Sequence, residues 1–159
     1  MQIAKTIAAI FLTVIFSYTF LPKLAIGGAT PHLILVVALI YLYQKNLATA
    51  LLWIVVGESF KTLIAGGLPY NIILAAAIIL LVWLVTQRFF EMSHWAIFLS
   101  LCFLSNFLYD IILFIPWGIK MVVPACLDAS YSTLFAFLVL FLLQKRIKRQ
   151  YQIEVLGER

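Results

Sequence analysis

Glu58 and Lys61 stand three positions apart within Gly57-Glu58-Ser59-Phe60-Lys61-Thr62, a polar interruption of an otherwise apolar stretch over 47–69. Opposite charges at i and i+3 share one face of a helix. Inside an apolar helix such charges are costly enough that they turn toward a partner or a water-filled cavity and away from lipid. Asn106 and Asp110 repeat the situation in a second apolar run, while His32, Asn71 and Asp128 fall at the ends of others. Groups of these types can pair internally, receive a partner protein, or hold a ligand or ion, and the residues alone leave all three open. A catalysed reaction is not indicated: the chain has no His-Glu-x-x-His zinc motif, no Gly-x-Ser-x-Gly nucleophile elbow and no phosphate-binding glycine loop. The two histidines, His32 and His94, are expected at opposite faces of a membrane, so no metal site built on both is expected and each suits an interfacial position. The expectation is a non-enzymatic protein without a cofactor and without a nucleic-acid partner.

The elements that must position these residues are apolar helices. Of 159 residues, 65% are hydrophobic and 11% charged, with a mean hydropathy of +1.13; soluble domains are about 45–50% apolar. This predicts an all-α, polytopic integral membrane protein. At about 20 residues per span, it has room for about six transmembrane helices in a compact bundle over 1–144, followed by a basic tail over 145–159. The runs read 7–21, 33–43, 47–65, 70–86, 95–115 and 129–143. Lys5 before the first run, with small residues at 25–29, also fits a cleaved signal peptide over 1–22, although the run serves equally as a first helix. The second run is short. Started at Pro31, with Thr30 as N-cap, it reaches about 20 Å, against a hydrocarbon core of about 30 Å. Either residues 26–30 dip into the membrane, or a tilted helix begins near Leu24 and bends at Pro31. Cys102 lies within a run and Cys126 in a connection, a difference in depth that argues against a bridge.

Charge placement orients the spans. With six helices, Lys5, Lys45, Arg88, Lys145, Arg146, Lys148, Arg149 and Arg159 share one face, and Lys23 and Lys120 the other. The positive-inside rule then places both termini in the cytoplasm. Counted from the cytoplasmic face at 1.5 Å per residue, Glu58 and Lys61 lie about 16 and 21 Å along their run and Asp110 about 22 Å along its own. His32, Asn71 and Asp128 fall at outer ends, so the polar groups are expected to converge on one outer layer. Lys145, Arg146, Lys148 and Arg149 suit anionic lipid headgroups, or an acidic cytoplasmic partner.

The order of features resembles MreD, the small multispan protein of the bacterial rod-shape system. The resemblance is carried by Pro31-His32-Leu33-Ile34-Leu35 opening the second run, Gly57-Glu58-Ser59-Phe60-Lys61 in the third, Gly66-Gly67-Leu68-Pro69 after it, and the basic stretch from Lys145 to Arg149. It implies a membrane scaffold for lateral cell-wall synthesis, acting with an MreC-like protein and glycan-polymerising enzymes. That family commonly has acidic residues where this chain has His32 and Lys61, so any partner contact made there passes to Glu58 or Asp110. The rival expectation is the substrate-binding S component of an ECF-type vitamin transporter, also a small six-helix bundle. Ala4-x-x-x-Ala8 resembles the small-residue motif by which such subunits pack against the transporter core.

Overall fold

A computed structural model describes the backbone of residues 2–25, 29–65, 69–89, 95–114 and 122–157, and the side chains of 4–23, 25, 29–64, 69–88, 95–113 and 122–142. His94, Lys120, residues 26–28 and the side chains of Lys145, Arg146, Lys148 and Arg149 lie outside that description.

The elements of the described chain are all helical: α1 Gln2–Thr19, a 3₁₀ turn Leu21–Leu24, α2 Leu33–Tyr43, α3 Leu47–Ala65, α4 Tyr70–Phe89, α5 Trp95–Phe114 and α6 Val122–Gly157. Five helices are long and apolar enough to cross a membrane; α2 is not among them. With 11 residues, α2 extends about 16 Å. It is nonetheless the centre of the bundle, since α1, α3, α4, α5 and α6 all pack against it. Its sequence, LILVVALIYLY, is apolar on every face, which suits a core or a lipid contact alike, and the five packed neighbours decide for the core. Leu33, Ile34, Leu35, Val36, Ala38, Leu39, Ile40 and Leu42 are accordingly buried. The longer helices each turn one face inward and present large apolar residues outward, among them Leu12 on α1, Leu63 on α3, Ile73 on α4 and Leu142 on α6. Hydroxyls on those helices bond back to their own backbone, as Thr13 does to Ala9 O at 2.9 Å and Ser59 to Val55 O at 2.6 Å, so that these donors are satisfied without water.

Two local devices hold α2 and α3 together. The turn between them is closed at both ends. The Lys45 N–H reaches Leu42 O and the Asn46 N–H reaches Tyr41 O, both at 2.9 Å, a Schellman closure in which Lys45 takes the left-handed position (φ 61) usually given to glycine. Asn46 then accepts the Thr49 N–H on Oδ1 at 3.0 Å and caps α3. Further along, Gly57 allows a close approach: a Cβ there would lie 2.8 Å from Ile34 Cγ2 and 3.3 Å from Ile34 Cγ1. Small residues serve this purpose between membrane helices, where close backbone packing drives association.

The start of α2 differs from the sequence expectation. Thr30 is not its N-cap and Pro31 is not in its first turn; His32 takes the cap position with φ −78 and ψ 75 and makes no side-chain cap bond. The reason is that α6 satisfies the backbone instead. The Thr30 N–H donates to Asp128 Oδ1 at 2.6 Å, and the His32 N–H to Ser132 Oγ at 2.9 Å. The sixth helix also starts earlier than the expected residue 129, which places Asp128 and Ser132 one turn apart on a single helical face.

Gly57→Ala should lower stability in detergent by about 1–3 kcal/mol through overpacking. Combined with Ile34→Ala, it should cost at least about 1 kcal/mol less than the sum of the two single changes. Chemical-denaturant titration of all three variants provides the comparison, and strict additivity would contradict the close approach.

Candidate functional site: the polar end of the bundle

The polar side chains singled out in the sequence gather where α1, α3 and α5 finish and α2, α4 and α6 begin. They form two adjoining groups with Tyr109 between them. In the first, His32 Nε2 lies 2.8 Å from Asp110 Oδ1. The Asp110 side chain is 2% exposed and that of His32 21%, so the carboxylate is interior and the imidazole reaches the rim. Asp128 closes this group from α6, and one ligand-type atom from each of His32, Asp110 and Asp128 lies within 4.8 Å of the others. Asp110 Oδ2 is buried without a hydrogen-bond partner among the described residues.

In the second group, Lys61 Nζ is 3.6 Å from Glu58 Oε2, the i,i+3 pair expected from the sequence. Glu58 is the buried member at 4% side-chain exposure, while Lys61 retains 28%. The Tyr109 hydroxyl donates to Glu58 Oε2 at 3.4 Å, a long bond. Its ring is packed from both sides of the divide: Lys61 Nζ lies 5.7 Å from the centroid, within cation–π range, and the His32 ring meets it edge-on at 5.2 Å. Tyr109 and Asp110 are consecutive residues of α5, so one turn of one helix serves both groups.

Asp110 therefore pairs with His32, although from sequence alone it could equally have joined Glu58 and Lys61. Asn106 is fully buried one turn deeper, donating from Nδ2 to Cys102 O on its own helix at 2.7 Å; its Oδ1 has no partner among the described residues. Asn71 lies in the first turn of α4, its Oδ1 likewise unpartnered. Sequence reasoning missed Tyr109 and Ser132, and gave Thr30 the role of a helix cap. The spacing Asp128-x-x-x-Ser132 was the available signal, but it acts on backbone N–H groups, which carry no residue signature.

A cavity of about 140 Å³ opens between α1, the lead into α2, and α3, lined by Ser17, Tyr18, Thr30, His32, Glu58 and Lys61 together with apolar neighbours. Small-molecule pockets are about 300–1,000 Å³, so this one suits water, an ion or a single inserted side chain. None of its groups forms a nucleophile–base pair: Ser17 is committed to Thr13 O at 2.8 Å.

No protein-family model, curated protein or solved structure matches the chain.

Replacing Lys61 by leucine strands Glu58 in the interior with only the long Tyr109 bond. The expected cost is about 1–3 kcal/mol, below that of a fully buried pair because Lys61 is partly exposed. Glu58→Leu combined with Lys61→Leu should recover much of it, since no uncompensated charge remains. Thermal melting of both variants in detergent measures this; a single variant as stable as the parent would mean that Glu58 does not need the ammonium group.

Proposed function

We propose that the chain is a non-enzymatic membrane scaffold of the bacterial cell-shape and lateral cell-wall synthesis machinery. It works through helix–helix and protein–protein contacts with an MreC-like membrane protein and glycan-polymerising partners. The observation that carries this reading is the polar end of the bundle. Glu58 pairs with Lys61 and Asp110 with His32, side chain to side chain, the cavity of about 140 Å³ is below the size of a substrate pocket, and Phe60, the residue before the partly exposed Lys61, meets the exposed Phe11 of α1 at 5.5 Å. A paired charge beside an apolar ridge suits a neighbouring transmembrane helix that brings its own polar group. The resemblance to MreD in residues 31–35, 57–61 and 66–69 supplies the class of partner.

In this reading the protein is a bacterial inner-membrane protein with both termini cytoplasmic. The polar end faces outward, and α6 continues as a helix beyond the bilayer: 36 residues extend about 54 Å, well past a hydrocarbon core of about 30 Å. That carries Lys145, Arg146, Lys148 and Arg149 into the headgroup and cytoplasmic layer, where they bind anionic lipid.

The second reading, an S component docking on an ECF transporter core, is favoured by the cavity at the polar end and by the exposure of Ala4 and Ala8 on α1. The cavity's volume weighs against a vitamin-sized substrate.

Purification of the tagged chain from native membranes under mild detergent should bring down a single-span MreC-like protein and a glycan polymerase; recovery of a paired ATPase and its membrane coupling subunit would replace the scaffold reading by the transporter one. A C-terminal fusion to a reporter that fluoresces only in the cytoplasm should be bright, and a dark fusion with an active periplasmic counterpart would invert the orientation.

A further inference from the structure

We propose that His32, Asp110 and Asp128 form a binding site for a divalent cation of the zinc class, which ties the start of α2 to α5 and α6. The three side chains come from three separate elements, yet one ligand-type atom of each lies within 4.8 Å of the other two. A tetrahedral zinc with bonds near 2 Å requires its ligands to be about 3.3 Å apart. His32 Nε2 and Asp110 Oδ1, at 2.8 Å, are already closer than that, and small rotations about the side-chain torsions bring Asp128 in.

The second observation is Asp110 itself. The residue is 1% exposed; Oδ1 faces His32, while Oδ2 is buried with no partner among the described residues. A buried carboxylate oxygen left without a donor is unfavourable, and the group as a whole is unbalanced. It has two carboxylates and one imidazole, and among the described residues the ion pair at Asp110 is with His32, while Lys61 pairs with Glu58. With both carboxylates ionised, even a protonated imidazole would leave one negative charge, whereas a divalent cation on a neutral imidazole closes the balance.

The donor set indicates the class. One imidazole nitrogen and two carboxylates make three protein ligands with a position left for water, a pattern taken by zinc and its neighbours among the transition metals. Magnesium and calcium favour sites with oxygen ligands throughout. Outer contacts that orient metal ligands are present as well. Asp128 is held by the Thr30 N–H at 2.6 Å, and the His32 backbone by Ser132 at 2.9 Å; the Tyr109 ring, edge-on at 5.2 Å, fixes the imidazole plane. The cavity of about 140 Å³ reaches His32 and provides an approach roomy enough for a hydrated ion to enter. The site draws on carboxylates from two other helices, so it does not need the second histidine at position 94.

Binding uses the whole purified chain in detergent and no partner, so its outcome is independent of the scaffold reading. Titration of the metal-free protein with Co²⁺ should develop visible absorption bands that saturate at one ion per chain and disappear on addition of one equivalent of Zn²⁺. His32→Gln and Asp128→Asn should each weaken Co²⁺ binding by more than about tenfold, the loss that follows from removing only an outer contact of a metal ligand, while His94→Gln leaves it unchanged. Zn²⁺ should also raise the melting temperature of the parent and not of the two site variants. Absence of saturable bands in the parent overturns the proposal without reference to any variant. So do bands retained in His32→Gln, bands lost in His94→Gln, or displacement of Co²⁺ by an equal concentration of Mg²⁺.

Discussion

A central helix that is too short to cross the bilayer governs this structure. Five helices surround α2, and because it extends only about 16 Å, against a hydrocarbon core of about 30 Å, at least one of its ends falls short of the membrane surface. The backbone that leads into such a helix start needs partners for its N–H groups. The side chains of Asp128 and Ser132 take them, and that requirement sets the face of α6 that turns inward and the depth at which polar residues gather.

Once the start of α2 is tethered in this way, the neighbouring charges fall into a consistent arrangement. His32 stands at the cap position, so its ring is delivered to the level of Asp110 on α5. Tyr109, the residue before Asp110, points its hydroxyl to Glu58 on α3 and offers its ring to both His32 and Lys61. Gly57, one residue before Glu58, lets α3 approach α2 closely enough for that reach. Substitution at Gly57 would thus displace an ion pair as well as a packing contact.

The helices were legible in the sequence because lipid imposes a simple rule: long apolar runs form helices, and glycine, proline and charged turns separate them. The limits Leu47–Ala65 follow directly from that rule. The gathering of His32, Glu58, Lys61, Asp110 and Asp128 at one end was legible too, since helix rise and alternating direction convert sequence position into depth. Pairing within that layer was not. Depth says nothing about azimuth, and nothing in the sequence chose between Lys61 and His32 as the partner of Asp110. The cap of α2 was misread because Thr30-Pro31 carries the usual signature of a helix start, whereas a remote helix had taken over the task of satisfying those N–H groups. Similarly, Lys45 at a left-handed position gives no local sign, since glycine would be the expected residue there.

The tether between α2 and α6 also bears on how the protein is made. Thr30 and Asp128 are 98 residues apart, and His32 and Ser132 are 100 apart. A chain delivered to the membrane from its N-terminus therefore presents α2 long before the groups that complete its start have been synthesised. Until the last helix arrives, the first part of the bundle holds an exposed polar seam at the mouth of its own core, a state that insertion machinery or a waiting neighbour must shield. Arrival of α6 is then the step that closes the fold, and a chain that stops short of Ser132 retains that open seam.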